Sequence, residues 1–548
     1  GGATVSDFSL VVDHALRGQR RIRKFHHPKS GLRFATGDST ALYEATGAAA
    51  VWLHRRGGRR VHRYETGDGW IVEQVSTKDP DNPRKRVIGE PLTFASEAVA
   101  IAAADDLLTA AGDCWAYGYD NSRQQALPQA VCFARQPAQI AELVGECRAH
   151  RVPLITRGRG TGTTGATVPI RGGIVLSMER MRNTLTIDPD NRLARVSPGF
   201  TNQELQQAAA KHGFFWPPDP TSAAVSTIGG NLAYNSAGPR AVKYGTPREN
   251  TLGLSAVTGA GDMLRTGVAT TKGVVGYDLT RLLIGSEGTL AIFTEATLKL
   301  TPLAECTNTL QAIYRDIHSA AQAVSRIMAQ PATPCALEFM DGTAIDMVRG
   351  FSDLGLPDAA GALLMIEVDG PAAGIAAMTA QVSSAASGDG CLQVDVAQSA
   401  DDVARLWRTR RALSPALRNV APKKINEDVV VPVSKIPDLI HGLERLAAQY
   451  GVTIVNFGHA GNGNIHVNLL VDPDDADQMA AAGPCLDAVF DLVLALGGSL
   501  SGEHGIGLVK RNFIDRELDP TSLQLMAAIK RQFDPDNILN PGIGFPDR

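Results

Sequence analysis

The chain has 548 residues, of which 44% are hydrophobic and 20% charged, the composition of a globular protein long enough for two or three domains. A formal charge of −4 and the lack of a long basic stripe exclude a general attraction to nucleic acid. The seven cysteines are scattered and form no C-x-x-C pair, which argues against an iron–sulfur cluster or zinc ribbon and suits reduced thiols. Without a signal-peptide layout or an uncharged apolar stretch of about 18 residues, we expect no membrane-spanning helix. The expected location is cytoplasmic, with peripheral contact to the inner membrane as an alternative.

Residues 1–110 differ in pattern from the rest of the chain. The stretches at 21–34 and 57–75 predict short strands and turns, and the stretch at 96–112 predicts a small helix. No residue pattern in this part indicates a chemistry. We therefore expect a small N-terminal extension of unknown role.

Predicted strands and helices alternate from about residue 128, within an expected domain of residues 111–303. The predicted elements are a strand (128–134), a helix (137–151), two strands (152–158 and 172–178), a β-hairpin (184–199), a helix (202–213) and a closing strand (288–302). A β-α-β beginning followed by mixed strands indicates an α/β or α+β domain.

A second expected domain covers residues 304–500 and alternates strands such as 362–370 with helices such as 436–451. The remaining segment, 501–548, carries an amphipathic helix followed by a Pro/Gly turn.

Two glycine-rich stretches suggest a phosphate-bearing ligand. "TRGRGTGTTGATVP" (156–169) follows a predicted strand and offers backbone amides and hydroxyls that suit phosphate oxygens. It lacks the G-K-[ST] of a Walker A loop and opens no helix as a dinucleotide-binding fingerprint does. "STIGGNLAYNSAGPRAVKYG" (226–245) is the second such stretch, so the pair indicates an extended ligand that the backbone approaches closely.

"GHAGNGNIHVN" (458–468) separates His459 from His466 by two Gly-Asn pairs. In one continuous strand a spacing of seven points the two rings to opposite faces, and in a helix it places them about 10 Å apart. A loop that turns on Gly461 and Gly463 brings both rings to one metal ion. The flanking segments also suit an ordinary β-hairpin, so a turn and a metal site remain equal alternatives on this stretch alone.

Seven motifs in order resemble the D-2-hydroxyacid dehydrogenase branch of the vanillyl-alcohol oxidase flavoprotein family, over roughly residues 115–545. They are "RGRGTGTTGATVP", "PPDPTS", "TIGGNLAYNSAG", "GYDLTRLLIGSEGTLAIFTEATLKLTP", "GHAGNGNIHVN", "SGEHGIGLVKR" and "FDPDNILNPG". The resemblance implies an α+β fold: a FAD-binding domain of that family, an α+β substrate (cap) domain with a metal site, and a C-terminal segment that completes the flavin and active site.

The resemblance also implies noncovalent FAD, because the first loop has neither the His nor the Cys that bonds flavin in some members. The implied pyrophosphate contacts are Arg157, Gly158, Gly160, Thr161, Gly162, Thr164 and Gly165. The implied contacts along the flavin and ribityl chain are Ile228, Gly229, Gly230, Asn231, Asn235 and Gly238, with Pro218 and Asp219 as further cofactor contacts. Glu287, Gly288 and Ile292 are implied at the adenine half, and Asn540 at the isoalloxazine.

For the metal, the resemblance implies the ligands His459, His466 and Glu503, a set that suits Zn²⁺, or Mn²⁺ or Fe²⁺. Where the family usually has Asp, this chain has Asn462, which is not a ligand by the pattern.

For catalysis, the resemblance implies His504 as the base and Arg410 as the carboxylate anchor. Without the family, Arg410 would be interpreted as part of a solvated helix face. Ser414, Lys424 and Asn468 are weaker pocket candidates.

The implied reaction is metal-assisted oxidation of a D-2-hydroxy acid by hydride transfer to flavin N5, with D-lactate favoured. D-2-hydroxyglutarate and glycolate are alternative substrates, and an O₂-using FAD oxidase or a flavin-binding scaffold subunit are alternative classes. No NAD fingerprint or second redox centre is found, so electrons are expected to leave to a quinone, a cytochrome or an electron-transfer flavoprotein. A homodimer is a further possibility.

Overall fold

The structure is a computed structural model that describes residues 106–349, 355–407 and 423–544, and the backbone of eight strands between residues 9 and 94. The eight strands form one sheet in the order β1-β2-β3-β4-β5-β6-β7, with β8 also on β6. Their bounds are β1 (Ser9–His14), β2 (Ile22–His26), β3 (Arg33–Thr36), β4 (Ala50–Arg56), β5 (Arg59–Glu65), β6 (Ile71–Lys78), β7 (Arg86–Ile88) and β8 (Leu92–Phe94). The short strands predicted for this part are therefore confirmed.

A four-stranded sheet follows, in the order β11-β12-β10-β9. Its elements are β9 (Leu107–Leu108), α1 (Ala111–Cys114), β10 (Ala130–Phe133), α2 (Pro137–His150), β11 (Leu154–Arg157) and β12 (Ile174–Ser177). Strands β10, β11 and β12 run parallel, and α2 makes the crossover that parallel strands require. The helix predicted over 96–112 is wrong at Leu107–Leu108, which pair antiparallel with β10; residues 96–105 lie outside the described part.

A five-stranded antiparallel sheet has the order β13-β14-β18-β16-β17, and β15 and β19 form a separate pair. The elements are β13 (Leu185–Asp188), β14 (Leu193–Val196), α3 (Asn202–Ala210), β15 (Phe214–Phe215), α4 (Ile228–Tyr234), α5 (Ala241–Tyr244), β16 (Thr251–Thr258), β17 (Met263–Gly267), α6 (Leu279–Leu283), β18 (Ala291–Lys299) and β19 (Thr301–Pro302). The predicted hairpin is confirmed as β13–β14. Fully buried Trp216 anchors this core and donates its indole N–H to the carbonyl of Asn250 at 3.1 Å.

The next sheet has seven antiparallel strands in the order β23-β20-β22-β21-β25-β26-β24. The elements are β20 (Cys306–Tyr314), α7 (Ile317–Ala329), β21 (Ala336–Asp341), α8 (Gly342–Arg349), β22 (Ala362–Gly370), α9 (Ile375–Ala386), β23 (Cys391–Val396), β24 (Lys423–Val430), α10 (Ile436–Tyr450), β25 (Thr453–His459), β26 (Asn464–Val471) and α11 (Ala476–Ala495). Helices α7, α9, α10 and α11 cover one face of this sheet.

The other face of the seven-stranded sheet is partly apolar and partly polar. Phe457, Met340 and Leu363 pack there against α8. Farther along the same face stand buried Glu338 and His466, because cross-strand partners in an antiparallel sheet share a face. This polar part positions the candidate site.

The C-terminal segment returns to the first domain. After α12 (Ile514–Glu517) and α13 (Pro520–Phe533), Leu539 forms a parallel bridge with Leu154 and is buried in the core beside α2. The mixture of sheets and separate helices confirms the α+β fold class.

Among the described helices, α11 is long and apolar enough to cross a membrane, with a mean hydropathy of 1.3 over its most apolar window. It contains Pro484 and packs along α10 through residues such as Cys485, Val489 and Val493. Length and composition alone are weak evidence for a membrane span, because core helices of other proteins meet the same criteria.

Candidate active site

The two histidines of "GHAGNGNIHVN" lie on one β-hairpin. His459 ends β25, residues 460–462 form a single 3-10 turn, and Gly463 follows with φ +76°. In the register, His466 pairs with Phe457, two residues before His459, so both histidines point to the same face. Their ring centroids are 5.2 Å apart. The sequence leaves an ordinary β-hairpin and a metal site as alternatives for this stretch. In the structure the β-hairpin itself brings the two imidazoles together.

Glu503 completes a cluster with these histidines. Its Oε1 lies 3.2 Å from Nε2 of His459 and 3.9 Å from Nε2 of His466. One ligand atom from each residue lies within 4.8 Å of the other two. The second carboxylate oxygen accepts the N–H of Gly238 at 2.8 Å, so the cluster lies where the second glycine-rich stretch meets the hairpin.

Two members of the cluster, His466 and Glu503, are held in the protonation state that binds a cation. Burial and the neighbouring imidazoles of His504 and His459 lower the pKa of His466, which keeps its ring neutral, and its Nδ1 has no partner among the described residues. Burial alone would raise the pKa of Glu503, but His459 and the other imidazoles lower it well below its usual value. Two imidazole nitrogens and a carboxylate oxygen are a donor set that fits Zn²⁺, Mn²⁺ or Fe²⁺.

Glu338 holds His459 from behind. Its Oε1 lies 2.5 Å from Nδ1 of His459, and the two residues are cross-strand partners on β21 and β25. Burial by itself would lower the pKa of His459, but the carboxylates of Glu338 and Glu503 raise it well above the ordinary value. The sequence analysis missed Glu338, although a glutamate inside the apolar run "ALEFMD" was a signal for a buried carboxylate.

His504 lies beside the cluster, as the sequence analysis expects. Its ring stacks on that of His466, with centroids 5.1 Å apart and planes 12° apart. Its Nδ1 is 3.5 Å from Oδ1 of Asp428, and the side chain is 22% exposed. Asp428, a buried carboxylate on β24, is the second residue that the sequence analysis missed.

The two glycine-rich stretches meet in the structure. Gly158 packs so closely on Thr227 that a Cβ there would stand 2.5 Å from its Oγ1, and a Cβ on Gly229 would stand 2.6 Å from the ring of Pro198. One cleft is lined by both stretches and by Gly288. Bare glycine backbone around a cleft of this kind fits the close approach of a phosphate-bearing cofactor.

Two protein families match the chain. The FAD binding domain matches residues 128–267, and the C-terminal domain of FAD linked oxidases matches residues 303–543. The chain is 40% identical over 427 residues to glycolate oxidase subunit GlcD of Bacillus subtilis, a match that covers 78% of this chain and 91% of the relative. This chain belongs to the D-2-hydroxyacid dehydrogenase branch of the FAD-linked vanillyl-alcohol oxidase family.

Other relatives in this branch carry different substrate names. The D-lactate dehydrogenase of Archaeoglobus fulgidus is 36% identical over 434 residues, covering 78% of this chain and 95% of that protein. The D-2-hydroxyglutarate dehydrogenase of Stutzerimonas stutzeri is 32% identical over 460 residues, covering 80% and 95%.

Solved structures of p-cresol methylhydroxylase and alkyldihydroxyacetonephosphate synthase share the fold. The TM-scores are 0.67 and 0.62, with 17% and 18% identity. The first match covers 82% of this chain and 95% of the solved chain, and the second covers 80% and 82%.

Three residues expected to contact FAD direct their side chains to the protein. The buried guanidinium of Arg157 donates to the carbonyl of Tyr119 at 2.7 Å and to Thr167, because the loop folds over it at Gly160. The side chains of Glu287 and Asn540 also bond to the protein.

Glu287 accepts the N–H groups of Ile506 and Gly507 at 2.5 and 2.8 Å, and burial raises the pKa of its carboxyl to about 7. Asn540 accepts the N–H of Thr156 and donates to the carbonyl of Glu287 at 2.7 Å. These hydrogen bonds hold the walls of the cleft together, and Arg157 and Glu287 are also part of its lining. The FAD contacts expected for Arg157, Glu287 and Asn540 stay predictions.

The other expected FAD contacts divide into three groups. The cleft lining includes Gly158, Gly229, Gly230 and Gly288. Buried in the protein, with little or no exposed side chain, are Thr164, Pro218, Ile228, Asn231 and Ile292. Gly165 is buried against Leu508. The remaining residues are partly exposed or adjoin the cluster of His459, His466 and Glu503: Gly160, Thr161, Gly162, Asp219, Asn235 and Gly238.

The expected catalytic residues are only partly gathered. Asn468 lies on the same face as His466; its amide donates to the carbonyls of Val455 and His466, and its Oδ1 has no partner in the described part of the chain. Lys424 is exposed and lies two positions beyond Asn426, the cross-strand partner of Asn468. Arg410 and Ser414 lie outside the described residues.

Proposed function

We propose that this chain oxidises D-lactate to pyruvate, using noncovalent FAD and a divalent cation held by His459, His466 and Glu503. The observation that carries the proposal is the convergence of these three ligand atoms within 4.8 Å, beside His504 and against the second FAD stretch. When bound, FAD takes the hydrogen and electron pair from C2 of the substrate, and the cation acidifies the C2 hydroxyl.

The side chains have separate tasks in this proposal. His459, His466 and Glu503 hold the cation, with Zn²⁺ favoured over Mn²⁺ or Fe²⁺. His504 accepts the proton that leaves the hydroxyl, because its ring stacks on a ligand ring and faces the same pocket. Asn468 lies on the same face as His466 and offers a buried amide oxygen without a partner among the described residues, so it is kept as a weaker pocket candidate. Arg410 is proposed as the carboxylate anchor.

The described residues beside His466 favour a monocarboxylate. Asn426 and Asn468 face each other across β24 and β26 beside His466, and both are uncharged. Lys424 stands two residues farther along β24, about 7 Å at the usual rise of a strand, and is exposed. These described positions offer no buried cation that could pair with a second carboxylate, such as that of D-2-hydroxyglutarate. Glycolate, which is also a monocarboxylate, is then the nearest competitor of D-lactate.

The electrons from reduced FAD must leave the chain. The similar GlcD proteins carry the name subunit, which supports an assembly with other chains for this protein. A quinone, a cytochrome or an electron-transfer flavoprotein is the acceptor in the proposal. We favour dehydrogenation over an O₂-using oxidase because the metal ligands and His504 are all present.

Anaerobic bleaching of the bound flavin tests the substrate. Pure protein is mixed with D-lactate, L-lactate, glycolate or D-2-hydroxyglutarate, and flavin absorbance is followed in a stopped-flow instrument. The proposal expects D-lactate to reduce the flavin fastest. Faster reduction by L-lactate or by D-2-hydroxyglutarate would refute the substrate assignment, and faster reduction by glycolate would replace D-lactate with glycolate.

A further inference from the structure

The carboxylate of Asp428 accepts hydrogen bonds from the backbone of the loop that carries both Glu503 and His504. Its Oδ2 accepts the N–H groups of Gly502, Glu503 and His504 at 2.8, 2.5 and 3.1 Å. Asp428 is fully buried on β24, directly opposite His466 on β26. Strand β24 therefore pairs with the strand that carries one proposed metal ligand, His466, and holds the loop that carries another, Glu503.

The second oxygen of Asp428 faces a cation and the ring of His504. Oδ1 accepts from Nζ of Lys510 at 2.8 Å and from the hydroxyl of Ser501 at 3.2 Å. Nδ1 of His504 lies 3.5 Å from the same oxygen. Lys510 is also buried, and its ammonium reaches the carbonyls of Asp428 and Leu500.

Burying the charges of Asp428 and Lys510 costs hydration free energy, so packing alone does not account for this ion pair. A buried ion pair is often no more stabilising than apolar side chains of the same volume, because both ions lose their hydration. Residues 501–504 belong to no helix or strand, so their N–H groups need acceptors from elsewhere. Asp428 supplies those acceptors from the seven-stranded sheet, while Glu287 supplies them to Ile506 and Gly507 from the FAD-binding domain.

The geometry points to Asp428 as a positioning residue for His504, with Lys510 as its counter-charge. By holding the His504 N–H and facing Nδ1, Asp428 turns Nε2 of the ring toward the pocket, where the substrate hydroxyl proton is accepted. This inference rests on the proposed role of His504, and it adds that the base works only in the orientation that Asp428 sets.

A double-mutant cycle in the holoenzyme tests the inference. Flavin reduction by D-lactate is measured at saturating Zn²⁺ for Asp428→Asn, for His504→Ala and for the two combined. We expect Asp428→Asn to slow reduction at least about 10-fold, within the range of a positioned base. In the His504→Ala background, Asp428→Asn should slow reduction by less than about 2-fold, because it acts through that ring. Independent, multiplying effects would overturn the inference, since a merely structural role does not need His504.

Two further variants guard against misfolding. Asp428→Asn leaves Lys510 without its strongest partner, so Asp428→Asn with Lys510→Met removes both charges together; the cycle is repeated with this pair, and the same non-additivity is expected. Glu427→Gln is the matched control, because Glu427 is buried and 3.4 Å from Lys510 but lies on the opposite face of β24. Its reduction rate should stay within about 3-fold of wild type. A loss as large as that of Asp428→Asn would show that the charge balance of Lys510, rather than the position of His504, is responsible.

The cycle also separates this inference from the proposed function. Absence of flavin reduction in the wild type by every 2-hydroxy acid would refute the proposed function. Near wild-type reduction in His504→Ala would refute the base and, with it, this inference. A slow His504→Ala combined with multiplying effects would refute the role of Asp428 alone.

Discussion

At the scale of single residues, the proposed metal ligands His459, His466 and Glu503 lead to a direct prediction. His459→Ala or His466→Ala should remove the bound metal and most turnover, because each deletes one of three ligands. Glu503→Gln should also lose metal, while the amide oxygen still accepts the N–H of Gly238. Elemental analysis of the purified variants checks the metal, and flavin absorbance checks that FAD remains.

Asn462→Asp is the matched control for these three proposed ligands. Asn462 lies in the same turn but is exposed and is not part of the cluster. This variant should keep its metal. Unchanged metal in both histidine variants, or equal loss in Asn462→Asp, would contradict the ligand assignment.

His504→Ala should separate catalysis from metal binding. Flavin reduction should slow by about 10²–10⁴-fold, the usual contribution of a positioned base. Metal content should stay near normal, because Glu503 and not His504 is the proposed ligand. The rival outcome is a loss of metal affinity of about 10–100-fold with near wild-type reduction at saturating metal, which would mean that His504 only orients Glu503.

The sequence predicts the residues of this site better than their supports. His459, His466, Glu503 and His504 stand in short motifs, where spacing and neighbours carry the information. Glu338 and Asp428 reach the site through strand pairings, β21 with β25 and β24 with β26. Those pairings join residues up to 121 positions apart, and no local pattern reveals them.

At the scale of elements, the turn of the β25–β26 hairpin determines where His466 lies. Gly463 has φ +76°, and a Cβ there would overlap the carbonyl oxygen of Val431. Gly463→Ala should therefore lower stability by more than the ~1–2 kcal/mol that a left-handed backbone costs an L-residue, and should displace His466. A fall in Tm together with loss of metal is expected.

Gly497→Ala supplies the comparison for the hairpin turn. Gly497 has a similar φ of +73°, but a Cβ there meets nothing within 4 Å. Its Tm should fall less, and its metal should remain. Equal effects of the two substitutions would mean that the close contact at Val431 does not shape the site.

Element prediction succeeds where periodicity is clear and fails at edges. The helices α2, α3 and α10 and the hairpins follow from apolar spacing and from Gly or Pro boundaries. Leu107–Leu108 look helical because alanines and aspartates precede them. They form a strand because β10 offers an open edge, which is a tertiary effect that a local window does not contain.

At the scale of the whole molecule, the site lies between two parts that the sequence treats separately. Gly238 meets Glu503, Glu287 meets Gly507, and Lys243 and Tyr244 bond to Asp369. The sequence predicts both domains but not these contacts, nor the strand order of the seven-stranded sheet. Order and contact depend on packing between distant segments, so only the structure reveals that FAD and metal stretches touch.

FAD should be held without a covalent bond. The cleft between the two glycine-rich stretches is lined by glycine, threonine and apolar residues together with Arg157, Tyr234 and Glu287, and its described lining includes neither His nor Cys. Acid precipitation should therefore release the yellow colour into the supernatant. Colour that stays with the pellet would show a covalent link.

Metal dependence of flavin reduction tests the central claim most directly. The protein is stripped with a chelator, its metal content is confirmed by elemental analysis, and reduction of its flavin by D-lactate is followed anaerobically before and after Zn²⁺ is added back. A cation that acidifies the hydroxyl is worth several kcal/mol, so reduction should fall by at least about 10²-fold in the stripped protein and recover with Zn²⁺. An unchanged reduction rate in stripped protein that still holds its FAD would contradict the account.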